Sequence, residues 1–540
     1  MKLILILALL CFWLPGPGLL WAQNDQSILP VSWDKYDDLD KIFLESGEPP
    51  PFSSRPYSVD EVKRNLARIN PGRLSLAGKT AYRAIEEDLE SRTLASHRGG
   101  LGLDASLEMN IEGYYHTDEE AQWIHGYEER LPMLDIPLEV WLGNILYSNL
   151  TLTIREEHCL VSEAAGNYSN VISSPYELAG YTPFKAFLAL GGKHWSLRFG
   201  RDVLSWGNGF TGNMVLSDYA DFHDSLYFTT YWDFFKFTAA YINLDPWLTE
   251  EEKSPPESHT ANEPYKAFFG HRVEFILFSR LNVAITETVI FGKYYPELRH
   301  LNPLMIFHNW NIPKRANSLM SLELDYNPYR WVNIYAQVAM DEYQTSYEIE
   351  AGDGGNPRAM GYMAGAETFL PLGRGYLEAG FEWAKTDPWL YNREHPLLNF
   401  VNRRRIWSFF QDSYVWVDKP LGYYTGPDSR VLSFRLGYSV SGAYSTMFEV
   451  RLVEQGENDL HTIYETSTEA CRLTTLTGTP QQTLIFHLMG EIFPSEKLTL
   501  GGDIYLVQVK DLLYLYGEEA ASPGRDYLDL QVALSVGYKP

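Results

Sequence analysis

Apolar and polar residues alternate along much of the chain after residue 100. The stretch at residues 103–116 reads LDASLEMNIEGYYH, in which apolar and polar side chains take turns. The same period of two returns at residues 146–154, 331–341, 377–383 and 528–538. Because successive side chains of a strand point to opposite faces, each segment predicts a strand with one apolar face and one polar face.

The length of these segments points to a membrane. Each has about ten residues, which is the length of a tilted strand that crosses a bilayer, whereas soluble strands usually have about five or six. The sequence also contains 27 Phe, 15 Trp and 36 Tyr, several of them near segment ends, as in interfacial aromatic girdles. We therefore predict an all-β transmembrane barrel of antiparallel strands over residues 101–540. A secreted β-rich globular protein is the alternative that alternation alone leaves open.

The first residues have the features of an export signal. They read MKLILILALLCFWLPGPGLLWAQ, with one lysine, an apolar run, a Pro/Gly break and a small residue at Ala22. We assign residues 1–22 to a cleaved signal peptide. A lipoprotein signal would need a small residue before Cys11, and Leu10 stands there. No later run reaches the roughly 18 to 20 uncharged apolar residues that a membrane-spanning helix needs.

Residues 23–100 follow a helical pattern instead. Apolar side chains stand three and four positions apart in WDKYDDLDKIFLESG, SVDEVKRNLARI and LAGKTAYRAIEEDLES, which predicts three short amphipathic helices. Ser58 and Glu61 have the spacing of a capping box, in which each side chain binds the other residue's backbone amide. Because this segment precedes the first strand and is soluble in character, we expect it on the periplasmic side, under the barrel or partly plugging it.

Charge and cysteine content exclude several classes of function. The chain has 70 acidic and 44 basic residues and a formal net charge of −26, which argues against nucleic acid as a partner. Apart from Cys11, only Cys159 and Cys471 are present, enough for one disulfide but too few for a disulfide scaffold. No Cys/His spacing typical of a zinc site occurs. We predict no cofactor and no metal.

One glycine motif suggests a nucleotide site at first. Gly207, Gly209 and Gly212 have the G-x-G-x-x-G spacing of a dinucleotide-binding turn. Such a turn needs a buried parallel strand before the glycines and a helix after them, whose N-terminus receives the pyrophosphate. Here the preceding strand alternates and no helical pattern follows. We interpret the motif as a Gly-rich turn or inward-folded segment, where missing side chains allow positive φ and close backbone approach.

Four further motifs occur in a fixed order along the chain. They are GRDVLSWGNGFTGNMVLSD at residues 200–218, FGHRVEF at 269–275, ELRHLNPLMIFHNW at 297–310 and PLGYYTGPDSRVLSF at 420–434. Together, and in this order, they resemble the capsule assembly Wzi family. The N-terminal FSSRPYSVDEV is also similar to the short helical segment that precedes the barrel in that family, so the resemblance covers most of the chain. It implies an outer-membrane β-barrel of about 18 strands with a periplasmic helical region.

The resemblance also implies a function. It indicates a barrel that binds or anchors capsular or exopolysaccharide without catalysis, with surface polysaccharide and outer-membrane lipid as partners of a monomer. A general diffusion channel or a solute-specific channel on the same fold is the alternative, since a fold does not fix a function.

A polysaccharide site needs aromatic faces for sugar C–H surfaces and fixed polar groups for hydroxyls. The aromatic-rich loops at residues 219–235 and 402–416 supply both, and the second contains three consecutive arginines in a strongly acidic chain. Contact with an acidic polysaccharide is one role for these arginines, and pairing with neighbouring acids or lipid headgroups is the other. The candidate binding residues are Trp206, Tyr219, Arg403, Arg404, Arg405 and Trp407.

The polar strand faces predict a network inside the barrel. Arg272 and Glu274 stand two positions apart and share one face, where an inward ion-pair network would hold the barrel shape. Glu287 is left open, since its position in the alternation directs it toward lipid unless a bulge intervenes. The predicted lumen network comprises Arg272, Glu274, Glu323, Asp325 and Asp341.

A hydrolase is the catalytic alternative. A serine nucleophile needs a histidine placed against it and a third polar group that orients the histidine. His223 with Ser225, and His308 with Ser318, are the available pairs, and the sequence marks no third group for either. We therefore predict that the protein is not an enzyme.

Overall fold

The computed structural model describes most of the chain. Residues 1–19 of the expected signal peptide lie outside the described ranges, as does Cys471, the cysteine that could form a disulfide with the buried Cys159. The described ranges are residues 20–22, 24–92, 94–96, 100–163, 168–180, 183–249, 252, 265–293, 295–307, 311, 316–343, 347, 356–463, 473–515, 518–519 and 523–540.

Eighteen antiparallel strands form the wall of a closed barrel, as predicted. The strands are β1 (Leu101–Ala105 and Glu108–His116), β2 (Leu134–Leu142), β3 (Leu146–Ile154), β4 (Lys185–Gly192), β5 (Trp195–Asp202), β6 (His223–Tyr231), β7 (Phe235–Leu244), β8 (Lys266–Leu277), β9 (Leu281–Gly292), β10 (Ala316–Tyr326), β11 (Val332–Glu342), β12 (Ala359–Leu372), β13 (Gly375–Thr386), β14 (Ser429–Val440), β15 (Tyr444–Gln455), β16 (Gln481–Ser495), β17 (Leu498–Lys510) and β18 (Tyr527–Tyr538). Each strand pairs with the next along the chain, and β18 pairs with the second part of β1, which closes the barrel.

The predicted alternation corresponds to an apolar outer face and a polar lumen. On β18, Leu528 and Leu534 are 62% and 63% exposed on the outside, while Asp529 and Gln531 between them are fully buried in the lumen. A band of outward apolar side chains is what a lipid-facing wall requires. Within the described ranges, no helix is long and apolar enough to cross a membrane.

The two ends of the barrel differ in the lengths of their connections. Alternate connections are short turns, such as residues 143–145, 278–280 and 373–374, all at one end. The connections at the other end are long, for example residues 155–184 and 387–428. We call these the short-turn end and the long-loop end.

Three helices precede the barrel strands, α1 (Lys35–Ser46), α2 (Val59–Arg68) and α3 (Leu76–Ser91), and a short helix, α4 (His158–Glu163), lies in a long loop. Residues 24–92, which we call the plug, pack at the short-turn end, where their apolar cluster includes Phe369 of β12 and Tyr376 of β13. The Ser58 hydroxyl accepts from the Glu61 amide at 3.3 Å and caps α2. The Glu61 carboxylate, however, accepts from Lys236 Nζ of β7 at 2.6 Å, so it joins the plug to the wall.

A second insertion enters the lumen from the long-loop end. Residues 203–222, which we call the inward loop, connect β5 to β6. Ser205–Trp206 pairs antiparallel with Ser54–Arg55 of the plug, so the two insertions meet inside the barrel. Trp206 is fully buried there, in one apolar cluster with Phe268 of β8.

A third segment lies on the outside of the wall and resolves the position of Glu287. The register of β8 and β9 is continuous, so no bulge intervenes and Glu287 faces outward. Its Oε2 lies 3.0 Å from Nε2 of His271, which faces outward on β8. Residues 295–307 fold back over this part of the wall, and the ring of Phe307 lies 5.0 Å from the His271 ring. The carboxylate is therefore partnered on the lipid side, and its partner His271 packs against Phe307.

Candidate functional site

The glycine motif lies in the inward loop, and a carboxylate of the barrel wall already binds its backbone amides. Gly207 and Gly212 have φ of +128° and +142°, and a Cβ on Gly209 would stand 2.1 Å from the Gly212 carbonyl oxygen. The Phe210 and Thr211 amides donate to the Glu382 carboxylate of β13 at 2.9 and 3.1 Å. These are the groups that a dinucleotide-binding turn would offer to a pyrophosphate. The interpretation as an inward-folded segment with positive φ angles therefore agrees with the geometry.

All five residues of the predicted lumen network face the interior, but they do not form one connected network. Arg272 binds Glu323 at 2.5 and 2.8 Å, and its Nη2 also donates to Ser53 Oγ of the plug at 2.5 Å. Glu274 accepts from the Ser53 amide at 2.8 Å. These contacts join the barrel wall to the plug.

The other two acids of the network hold long-loop segments. Asp325 accepts from Asn208 of the inward loop at 3.1 Å. Asp341 lies 3.1 Å from Arg393, in the loop after β13. Each insertion into the lumen thus has its own polar partner on the wall, which is a role that strand parity alone does not reveal.

Sequence reasoning missed other residues of this kind. Lys41 of α1 binds Glu378 of β13 at 2.7 Å, and Lys236 binds Glu61 at 2.6 Å. Their only signal in the sequence is a charged side chain on an inward strand face or a helix face. The partners lie 337 and 175 residues apart along the chain, so no local spacing marks them.

A cavity of about 1780 Å³ lies inside the barrel, between the long loops and α1. Its deeper part passes Phe210 of the inward loop and reaches Asp37 and Asp40 of α1. Its upper part we call the vestibule. The vestibule is lined by residues from the loop at 117–133, the inward loop, the hairpin at 401–420, the end of β15 and the loop at 456–463.

The three arginines lie on a hairpin that extends from the long-loop end. Its strands, Val401–Ser408 and Ser413–Pro420, pair antiparallel, and we call it the arginine hairpin. Arg405 stacks on aromatic rings, 4.1 Å from the Tyr414 centroid and 5.0 Å from that of Trp247. Trp407 meets Tyr414 edge to face at 5.0 Å. One face of the hairpin therefore presents aromatic rings around a cation.

The other two arginines are bound by neighbouring groups. Arg403 pairs with Asp418 at 2.7 Å and with Glu252. Burial raises the pKa of the Glu252 carboxyl, but hydrogen bonds from His461 and Arg403 outweigh burial and lower it well below its usual range. Arg404 donates to the Phe222 carbonyl and lies over the Phe222 ring. For Arg403 the contacts favour pairing with acids, the second of the two roles considered from the sequence.

The vestibule contains Tyr219 but not Trp206. The Tyr219 ring lies 6.1 Å from the Tyr424 ring, and Lys419 Nζ is 4.6 Å from the Tyr219 centroid. Lys419 also binds Glu128. Burial raises the pKa of Glu128, but the Lys419 charge outweighs burial and lowers it. Trp206 has no exposed surface, so its ring offers no face to a ligand in this conformation.

The catalytic alternative gains no support from the described residues. His223 is fully buried and its Nδ1 accepts from the Leu204 amide at 3.2 Å. His308 lies outside the described ranges. Among the residues that are described, no group of three or more His, Cys, Asp or Glu side chains is placed to hold a metal ion.

Of three solved structures that match this chain, the first shares its fold. Wzi of Escherichia coli, described as an outer membrane protein involved in group 1 capsule assembly and as a carbohydrate-binding β-barrel, matches with a TM-score of 0.58 and 13% identity, over 96% of this chain and 99% of its own. OmpT of Vibrio cholerae matches with a TM-score of 0.35 and 10% identity, over 83% and 100% of the two chains. OccD3 of Pseudomonas aeruginosa matches with a TM-score of 0.39 and 9% identity, over 83% and 95%.

Comparison by sequence gives a family match but no curated relative. A search of curated proteins gave no match. The profile of one family, described as Capsule assembly protein Wzi, matches residues 141–500. That range contains the inward loop, the arginine hairpin and most of the barrel wall. The chain belongs to the Capsule assembly protein Wzi family and has the fold of an outer-membrane β-barrel.

Proposed function

We propose that the protein is a non-catalytic outer-membrane lectin, which binds a surface polysaccharide at the long-loop end and holds it to the cell. The observation that carries this proposal is the aromatic vestibule beside the aromatic face of the arginine hairpin. The description of Wzi from Escherichia coli as a carbohydrate-binding barrel supports it. In this proposal the short-turn end and the plug face the periplasm, since periplasmic turns of such barrels are short.

The arginine hairpin supplies exposed rings for a sugar chain. Trp407, Tyr414 and Trp416 are 39%, 53% and 37% exposed. Sugars expose C–H surfaces that pack against aromatic faces, and Arg405 holds its neighbouring rings by cation–π contact. A long polymer could thus lie across the hairpin and enter the vestibule with one segment.

The vestibule supplies fixed polar groups beside further rings. Tyr219 and Tyr424 stand next to the Lys419–Glu128 pair, which is held in place by burial and charge. Oriented polar groups next to apolar surface are the usual composition of a small-molecule site. This arrangement suits recognition of sugar hydroxyls.

The lumen contents favour binding over free diffusion. The plug and the inward loop both occupy the barrel interior and bind the wall through buried polar groups. A general diffusion channel needs an open aqueous lumen. The channel alternative therefore requires that solutes or ions pass Phe210 and α1 through the cavity.

The first experiment is equilibrium binding of the purified barrel to the polysaccharide extracted from the source strain. We expect the Trp407→Ala/Tyr414→Ala variant to bind at least about tenfold more weakly, because truncation of anchoring aromatics removes most of the energy of such contacts. The matched control is Tyr176→Ala, since Tyr176 is 68% exposed in another long loop and does not line the cavity. Equal binding by both variants would contradict the hairpin site.

Two further measurements test the function itself. Deletion of the gene is expected to release surface polysaccharide into the medium, and fully retained polysaccharide would contradict an anchoring role. In planar bilayers we expect no large steady conductance. A large open-state conductance with no polysaccharide binding would favour the channel.

A further inference from the structure

The vestibule is rich in carboxylates. Its acidic lining includes Glu129, Asp218 and Glu457 in addition to the paired Glu128 and Glu252. Desolvation inside the vestibule and the neighbouring Glu128 charge raise the pKa of Glu129.

The cations of the vestibule already have carboxylate partners. In the described part of its lining, these cations are Arg403, Lys419 and Arg451. His461 joins them when it is protonated, and it lies 3.8 Å from Glu252 and 3.4 Å from Asp418. Arg403 binds Asp418 and Glu252, and Lys419 binds Glu128. Arg451 binds Glu449 at 2.8 Å. An anionic sugar would therefore meet cations that are already neutralised, and it would have to displace a protein carboxylate to pair with one of them.

Uncharged sugars meet no such obstacle. Hydroxyl groups can donate to the carboxylates without displacing their cations, and a carboxylate accepts several hydrogen bonds at once. The rings of Tyr219 and Tyr424 offer surface that is indifferent to ligand charge. The arrangement favours neutral hydroxyl donors over anions.

We propose that the vestibule selects an uncharged saccharide chain and rejects chains that carry carboxylate or sulfate groups. This inference rests on the proposed function, because it names the class of polysaccharide that the same site takes. It runs against the acidic polysaccharide that the three consecutive arginines suggest in sequence. Like charges brought together at a binding site cost enough to decide specificity.

The test compares neutral glycans with carboxymethylated forms of the same chains. The purified full-length barrel in detergent is titrated with an array of neutral polysaccharides, including dextran and the polysaccharide of the source strain before and after chemical reduction of its carboxyl groups. For any chain that binds, we expect the carboxylated form to bind at least about tenfold more weakly at low salt. That difference should shrink as ionic strength rises, because salt screens the repulsion.

A charge-neutralising variant locates the effect. In Glu129→Gln/Asp218→Asn the ratio between the two affinities should fall, because two vestibule carboxylates are removed with little change in shape. The control is Glu119→Gln/Glu120→Gln, which removes two acids of the loop at 117–133 that do not line the cavity. In this variant the ratio should stay as in the unmodified protein.

The outcomes distinguish a failure of the charge selectivity from a failure of the proposed lectin function. Binding only to carboxylated or sulfated chains, or tighter binding after carboxymethylation, overturns the inference and leaves the lectin proposal standing. An unchanged ratio in Glu129→Gln/Asp218→Asn also overturns the inference, because the discrimination would then arise elsewhere. Failure to bind any polysaccharide, including that of the source strain, overturns the proposed function itself.

Discussion

Removal of the Glu61 carboxylate should loosen the plug from the barrel. Glu61 of α2 and Lys236 of β7 are 2% and 0% exposed, and Lys236 also donates to the Ser54 carbonyl at 2.8 Å. In Glu61→Ala the lysine keeps that carbonyl but loses its counter-charge in a buried site. Loss of one partner of a buried ion pair costs about 3–5 kcal/mol. We expect the lower end, about 3 kcal/mol, because burial raises the pKa of Glu61 to about 7 and its charge is already costly.

Hydrogen exchange measures this effect in the intact protein. The amides of α1–α3 report opening of the plug in detergent micelles, and about 3 kcal/mol corresponds to about a hundredfold faster exchange. The matched control is Lys63→Ala on the same helix, whose pair with Asp25 is partly exposed and should cost less than about 1 kcal/mol. The double variant Glu61→Leu/Lys236→Met should recover most of the loss, because it leaves no unpaired charge.

Exchange of the single variant within a few fold of the unmodified protein would refute the role of the Glu61–Lys236 pair. Additive costs of the two substitutions in the double variant would refute it as well, because the lysine would then stabilise the plug independently of Glu61. An effect confined to α2, with α1 and α3 unchanged, would mean that the plug does not move as one unit.

Three further predictions concern the inward loop, the hairpin and the outer wall. Gly209→Ala should lower the free energy of unfolding by about 1–3 kcal/mol and abolish polysaccharide binding, since the new Cβ would stand 2.1 Å from a backbone oxygen. The control is Gly490→Ala, where the nearest atom to the new Cβ is 3.9 Å away. Equal binding by the two variants would contradict the role of the inward loop. Burial lowers the pKa of His461, but the hydrogen bond with Glu252 and the Asp418 charge outweigh it and raise the pKa. The contacts of His461 with Glu252 and Asp418, beside Arg403, should therefore be strongest below about pH 6.5 and weaken as pH rises through the raised value. The protection of residues 456–463 against amide exchange, corrected for the intrinsic pH dependence of exchange, should therefore be greater at pH 6 than at pH 8, and a pH effect on protection that persists in His461→Ala would contradict this. His271→Leu should destabilise the barrel in vesicles by up to about 2 kcal/mol by leaving Glu287 unpaired on the lipid side, and adding Glu287→Leu should restore stability; a double variant no more stable than the single would refute the pairing.

The wall of the barrel follows from the sequence because its signal is local. Leu528 and Leu534 against Asp529 and Gln531 show the lipid and lumen faces by parity alone. Parity also gave the outward direction of Glu287. It could not give the partner, because His271 is on the neighbouring strand and Phe307 is on a segment that returns to the wall from a long loop.

The candidate site was harder to predict because its contacts are not local. The three arginines were visible as a basic run, but Arg403 is neutralised by Glu252, which is 151 residues away. Glu382 is an ordinary polar strand residue in sequence, and its amide partners in the inward loop are about 170 residues distant. Spacing rules describe neighbours along the chain and carry no information on such pairs.

These non-local pairs also show that the groups which hold the barrel together and the candidate binding groups lie in different parts of it. The charged wall residues next to the plug are fully buried and bind the inserted segments, as Glu274, Arg272 and Lys236 do. Exposed aromatic surface with polar neighbours is concentrated at the long-loop end, around the arginine hairpin and the vestibule. Loops can change without disturbing a wall whose stability comes from strand pairing. The polysaccharide specificity of this protein should therefore depend on its long loops, while the plug contacts should vary only in step with the wall.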